Sequence, residues 1–219
     1  MSDGQVRSFR FLPWRLIDAA LRFFDRVSVF FVRRNVHPNT LTHLGFLAGV
    51  AVGAAYFLER PVWALVFLLV CGTLDILDGK VAVNSNRKSL FGAILDSSFD
   101  RYSEFFIYAG IAFHFRSGWV IWAVFTAFLG STMVSYTRAR AEGLGIDCRV
   151  GIMQRAERLV LLFAGTIVGL VFGVYDAALT VVVVVIAAVS NATAIQRLAY
   201  VRSWEKRKTS GGPDAPRAD

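Results

Sequence analysis

The sequence predicts an all-α integral membrane protein with six transmembrane helices and an N-terminal amphipathic interfacial helix, and three observations carry that expectation. Hydrophobic residues make up 55% of the 219, and the mean hydropathy is +0.51, a composition suited to lipid and not to a soluble core. Six apolar stretches recur at about 39–58, 61–82, 89–115, 118–140, 156–174 and 177–196, each near the ~20 residues that a spanning helix needs. The basic residues alternate with them: 20 Lys and Arg fall on one face and only Arg60 and Arg116 on the other, with Lys80 and Arg101 inside spans or at their ends. Basic loops stay in the cytoplasm, so both termini are expected there, as is the end of the bundle that carries the acids described below.

The expected domains follow in order. Residues 1–38 form a cytoplasmic N-terminal segment, 39–198 a six-helix bundle, and 199–219 a cytoplasmic tail, disordered from about 209 because TSGGPDAPRAD has no apolar face. Within the first segment Arg15, Asp18, Arg22, Asp25 and Arg26 recur at helical spacing opposite Ile17, Leu21, Phe24 and Phe31. That pattern predicts an amphipathic helix from near Pro13, lying along the cytoplasmic interface with Trp14 and its basic residues. Pro38 then stops that helix, and Asn39 or Thr40 is placed to cap the first span. Gly45, Gly49 and Gly53 make a small-residue stripe along it, favouring close packing within the subunit over a dimer seam, while a homodimer stays open.

Several function classes drop out. The net charge of +8 comes from residues flanking spans, so it points to anionic lipid headgroups and not to nucleic acid. Cys71 lies in a span and Cys148 in a loop, which excludes a disulfide framework and a cysteine metal cluster. No removable signal peptide is expected, because the opening residues lack a hydrophobic core and a cleavage site. His37, His43 and His114 are too scattered to form a site.

Asp75, Asp78, Asp96 and Asp100 stand in two consecutive apolar stretches, where each ionised acid costs about 2.5 to 3.5 kcal/mol. Residues three and four apart share a helix face, so Asp75, Asp78, Gly79 and Ala82 line one side of the second span, and Gly92, Asp96 and Asp100 one side of the third. The short connection, 83–88, predicts that these two helices are antiparallel neighbours whose acid faces meet near the cytoplasmic end. Four carboxylates in one volume repel unless a hard cation such as Mg²⁺ or Mn²⁺ joins them, and the small residues beside them leave room for a ligand. Arg101 and Glu104, at i and i+3, are expected to pair with each other or with the acids.

Written out, the segment reads D-x2-D-G-x2-A, nine residues, then G-x3-D-x3-D. It resembles the signature of the CDP-alcohol phosphotransferase family of integral membrane enzymes, D-x2-D-G-x2-A-R-x8-G-x3-D-x3-D, at seven of eight fixed positions; Val83 replaces the Arg. The resemblance implies a CDP-alcohol phosphatidyltransferase with two Mg²⁺ or Mn²⁺ ions held by Asp75, Asp78, Asp96 and Asp100, and Asp100 as general base. Asp75, Asp78, Gly79, Ala82 and Gly92 would line the nucleotide site, and Lys80, Arg87 or Lys88 would supply the charge that Val83 lacks. It further implies transfer of a phosphatidyl group from CDP-diacylglycerol to a polar alcohol, with release of CMP.

A second set, Ser135, Arg138, Arg140, Arg155 and Arg158, lies across the cytoplasmic end, where its arginines also fit as positive-inside anchors; Arg138, Arg155 and Arg158, with Ser135 beside them, resemble the pocket for a phosphorylated acceptor in phosphatidylinositol-phosphate synthases of that family. Inositol phosphate or glycerol phosphate is therefore favoured over an amino alcohol, and paired guanidinium donors suit phosphate oxygens. Two alternatives stand beside the enzyme: a catalytically degenerate member, suggested by Val83, and a cation transporter using the same acids. Transport sites sit near the midplane between repeated halves; this sequence has no visible repeat, and its acids begin beside a cytoplasmic loop.

Overall fold

A computed structural model describes residues 14–116 and 118–209, all in helices and short connections. The expected disorder beyond 209 and the helix start near Pro13 lie outside these residues. The described helices are α1 (Trp14–Arg33), α2 (Pro38–Phe57), α3 (Pro61–Asn84), α4 (Leu90–Phe115), α5 (Val120–Glu142), α6 (Arg155–Phe172) and α7 (Tyr175–Thr209). Four of them, α2, α3, α5 and α7, are long and apolar enough to cross a membrane. α4 and α6 carry more charge: Asp96, Asp100, Arg101 and Glu104 on one, Arg155, Glu157 and Arg158 on the other.

Local chemistry sets the helix ends. His37 caps α2 in place of the expected Asn39 or Thr40, its Nδ1 accepting from the Asn39 amide at 3.2 Å. The cause is Pro38: the residue before a proline is held extended, so the cap falls at 37 and Pro38 takes the first helical position. Ser89 caps α4 by accepting from the Gly92 amide at 2.9 Å.

Helices α2 to α7 close into a ring in which α2 packs on α4, α4 on α5, α5 on α7, α7 on α6, α6 on α3 and α3 on α2. The core inside it is apolar, with Val52, Tyr56, Leu68, Ile107, Ile111, Val124, Leu179, Val183 and Ile186 all almost fully enclosed. Buried hydroxyls find partners across the ring, Tyr56 with Thr166 at 2.9 Å and Tyr108 with Ser131 at 3.0 Å. The glycine stripe of α2 works inside the subunit. A Cβ on Gly49 would strike Ser103, one on Gly53 would strike the Phe106 carbonyl, and one on Gly110 would meet Gly53's own backbone.

The ring order corrects one expectation. α3 and α4 do not pack on each other along their lengths; each packs on α2, which lies between them. A short connection brings two helices near, but the small faces of α2 are the better surface for both: Gly45 lies against Leu74 of α3 and Gly49 against Ser103 of α4. The acids consequently face each other across a gap floored by α2.

Outside the ring, α1 lays Phe24, Val27, Phe31 and Val32 against Leu41 of α2 and Leu77 and Val81 of α3. Polar contacts fix its register: Asp25 pairs with Lys80, and Asn84 donates to Ser28 Oγ at 2.7 Å.

Candidate active site

Four helices build one pocket, lined by Thr42, Gly45 and Phe46 of α2, Cys71, Asp75 and Asp78 of α3, Asp96, Phe99, Asp100 and Ser103 of α4, and Arg155 of α6. Asp75, Asp96 and Asp100 each offer a carboxylate oxygen, and the three oxygens lie within 4.8 Å of one another. Asp78 shares the pocket but turns toward α2, where its Oδ2 accepts the Thr42 hydroxyl at 2.7 Å. The structure thus brings all four predicted acids to one pocket, three as a tight group and the fourth held by a donor.

Arg155 enters this group from the opposite wall. Its Nη1 lies 2.5 Å from Asp75 Oδ1 and 3.0 Å from Asp100 Oδ1. It opens α6, whose start is set by a reciprocal cap: the Gln154 side chain accepts from the backbone of Glu157, whose carboxylate accepts the Gln154 amide at 3.1 Å. The preceding loop is anchored in turn. Ile146 and Cys148 pack with Tyr200, Val201 and Trp204 of α7, and the Met153 amide donates to Thr193 Oγ1 of the same helix at 3.2 Å. Arg155 therefore projects from a fixed point.

Behind the pocket Arg158 is 1% exposed and donates through Nε and Nη2 to Glu104 Oε1 at 2.8 and 2.5 Å. Glu104 thus pairs with α6 and not with Arg101, whose Nη1 turns to the Ser97 carbonyl. Ring closure is the reason: Arg158 reaches Glu104 inside the bundle, a partner no spacing within one helix reveals.

The residues expected at the donor and acceptor ends are placed as follows. Gly79 faces open space, and Gly92 lies where a Cβ would come 3.2 Å from Asn39 Oδ1. Ala82 is partly buried on the face that carries Asp75 and Asp78, and Val83 is 45% exposed. Lys80 is engaged by Asp25, and Arg87 donates to Asn35 Oδ1 at 2.5 Å, so both are tied to α1 or the turn after it; Lys88 is exposed. Arg138 pairs with Glu142 at 2.8 Å on the surface, and Ser135 is partly buried three residues before it. The expected acceptor set is thus spread over three surroundings: Arg138 with Glu142, Arg155 with the acids, Arg158 with Glu104.

Thr42 and Arg197 were not among the expected site residues. Arg197, 2% exposed, donates to the Val150 carbonyl at 2.8 Å and to the Val134 carbonyl, pinning the loop before α6 to α5 and α7. An arginine far along an apolar helix was the available signal, since such a charge needs a partner.

Three carboxylates so grouped fit a hard divalent cation such as Mg²⁺ or Mn²⁺, which takes oxygen ligands. A ring of helices, four of them long and apolar enough to cross a membrane, with an acidic group gathered in its pocket, fits a membrane-embedded protein that binds a charged ligand. The family model for CDP-alcohol phosphatidyltransferases matches residues 35–201, and the chain belongs to that family. It is an integral membrane protein. Among its relatives, the archaetidylinositol phosphate synthase of Methanothermobacter thermautotrophicus is 38% identical over 208 residues, 95% of this chain and 98% of the relative. The phosphatidylinositol phosphate synthase of Streptomyces avermitilis is 38% identical over 198 residues, covering 84% and 81%. Two solved structures of Mycobacterium tuberculosis phosphatidylinositol phosphate synthase are similar, both with a TM-score of 0.75. The one with CDP-DAG bound is 26% identical and covers 90% of this chain and 98% of its own. The one with manganese and citrate is 25% identical and covers 90% and 93%.

Proposed function

We propose that this chain transfers a phosphatidyl group from CDP-diacylglycerol to the hydroxyl of inositol phosphate, releasing CMP and leaving a phosphorylated inositol lipid. The observation that carries it is the gathering of Asp75, Asp96 and Asp100 beside the buried Asp78, in a pocket bounded by α2, α3, α4 and α6. The acceptor is drawn from two relatives whose names differ in their lipid and agree on an inositol phosphate product.

Asp75, Asp78, Asp96 and Asp100 would hold the divalent metal. When bound, that metal supplies the positive charge that neutralises the donor diphosphate and the departing phosphate. Asp100 takes the proton from the acceptor hydroxyl. The hydroxyl oxygen then forms its bond to the phosphorus attached to the lipid, while the bond from that phosphorus to the CMP oxygen breaks. Thr42 orients Asp78, Gly79 leaves open space for the nucleotide, and Ala82 and Gly92 are assigned to the same site. Ser135 and Arg138 are assigned to the acceptor phosphate.

In this assignment all six ring helices cross the bilayer, the short helix α6 and the charged α4 included, and the acid pocket opens at the cytoplasmic end. α1 lies along that interface, residues 39–198 form the catalytic bundle, and 199–219 are a cytoplasmic tail.

The test is to incubate the purified chain with CDP-diacylglycerol, Mg²⁺ or Mn²⁺ and a panel of inositol phosphate, glycerol phosphate, inositol and amino alcohols, and to identify the lipid made. An inositol phosphate headgroup is the expected product. A different headgroup would replace the acceptor, and no CMP release with any acceptor would overturn the assignment.

A further inference from the structure

Three arginines are buried or nearly so at this end of the bundle, and they are held in different ways. Arg158 spends Nε and Nη2 on Glu104, and Arg197 donates to two carbonyls. Arg155 faces two carboxylates, yet its Nε and Nη1 find no well-directed hydrogen-bond partner among the described residues, and its Nη2 reaches only Cys71 Sγ at 4.0 Å. Charge holds it, without the two-pronged geometry that makes an arginine–carboxylate pair strong.

We propose that Arg155 is a displaceable internal counter-ion, which neutralises Asp75 and Asp100 and must leave them when a divalent cation binds. The inference rests on the metal-centre assignment above. The carboxylates are shared: Asp75 and Asp100, whose Oδ1 atoms face Nη1 at 2.5 and 3.0 Å, are two of the three acids grouped within 4.8 Å. Space is short as well. The pocket encloses about 10 Å³, close to one water, whereas Mg²⁺ and Mn²⁺ need several oxygen ligands and Mg²⁺ keeps several of its waters.

Of the polar side chains around the cavity, Thr42 and Asp78 are bonded to each other. Arg155 has no such bond from Nε or Nη1 among the described residues, so moving its side chain off the acids breaks only the long contact to Cys71 Sγ.

The experiment titrates Mn²⁺ into the full chain in detergent micelles or lipid nanodiscs and reads free Mn²⁺ by electron paramagnetic resonance, without donor or acceptor. Arg155→Gln is expected to bind Mn²⁺ about tenfold or more tightly than the parent, ~1.4 kcal/mol per tenfold. Arg101→Gln removes a charge that lies near the same acids but has its Nη1 turned to the Ser97 carbonyl; it should change the affinity by less than about threefold, because it holds neither Asp75 nor Asp100 in an ion pair. Equal or weaker binding by Arg155→Gln overturns the proposal, and so does an equal gain in Arg101→Gln. An absence of saturable Mn²⁺ binding overturns it together with the metal centre, whatever the transferase assay returns.

A second measurement on the unaltered protein covers the case in which Arg155→Gln does not fold. Phenylglyoxal modification of Arg155, read by peptide mass spectrometry, should rise when Mn²⁺ is added. Unchanged or diminished modification contradicts displacement.

Discussion

The Thr42 hydroxyl of α2 donates to Asp78 Oδ2 of α3 across 2.7 Å, and both side chains are more than nine-tenths buried. This bond fixes one carboxylate of the motif in the wall of the pocket and ties the floor helix to the acid helix. Replacing Thr42 by Val keeps the shape and removes the donor. A buried carboxylate that loses a donor costs about 1.5 to 3 kcal/mol. Thr42→Val is therefore expected to melt at lower temperature and to release CMP about tenfold more slowly, while Thr42→Ser recovers most of both. Thermal melting in detergent and a CMP-release assay check the pair.

Asp100 lies against Arg155 and within the three-acid group, and it is assigned the proton from the acceptor hydroxyl. Asp100→Asn is nearly isosteric and cannot take that proton. Loss of a general base typically costs 10² to 10⁴ in rate, so CMP release should fall at least about a hundredfold while the protein elutes as a folded species. Near-parental release by this variant removes Asp100 from the chemistry.

The pair of Glu104 and Arg158 lies deeper, where both side chains are at most 5% exposed. Cutting one partner leaves an uncompensated charge and costs about 3 to 5 kcal/mol, whereas replacing both by apolar residues of similar volume is often neutral. Glu104→Gln should thus be strongly destabilised in thermal melts, and Glu104→Leu combined with Arg158→Met should recover most of the loss. If that double variant regains stability but not turnover, Arg158 also serves the acceptor; if it regains both, the arginine is structural.

How much of this was legible in the sequence depends on how local the cause is. The starts and ends of α2 to α6 fall within two residues of the apolar stretches, because bilayer-length hydrophobic runs delimit themselves. α7 runs on to Thr209, well past the expected 196, since Arg, Glu, Lys and Leu continue a helix that an apolar criterion does not follow. The meeting of Asp75, Asp96 and Asp100 follows from helical spacing and was foreseen; the placing of α2 between their helices was not. That depends on which small faces win, as Gly49 and Gly53 do by admitting Ser103 and the backbone of α4. Arg155 beside the acids and Arg158 on Glu104 needed ring closure, which joins α6 to α3 over more than fifty residues of chain.

Val83 gives the last prediction, because it is the one fixed position where the chain departs from the motif it otherwise matches. It follows Asp75, Asp78, Gly79 and Ala82 at the end of α3 and is 45% exposed, so a longer side chain meets no core there. Lys80 and Arg87, the nearest cations along the chain, are engaged by Asp25 and Asn35, which limits what they offer a diphosphate. A charge-assisted hydrogen bond is worth about 1.5 to 3 kcal/mol. Val83→Arg is therefore expected to lower the KM for CDP-diacylglycerol by about tenfold or more, leaving the KM for the acceptor unchanged. Steady-state kinetics with each substrate varied in turn separate the two, and an unchanged donor KM would mean that the chain holds its diphosphate by groups other than the missing arginine.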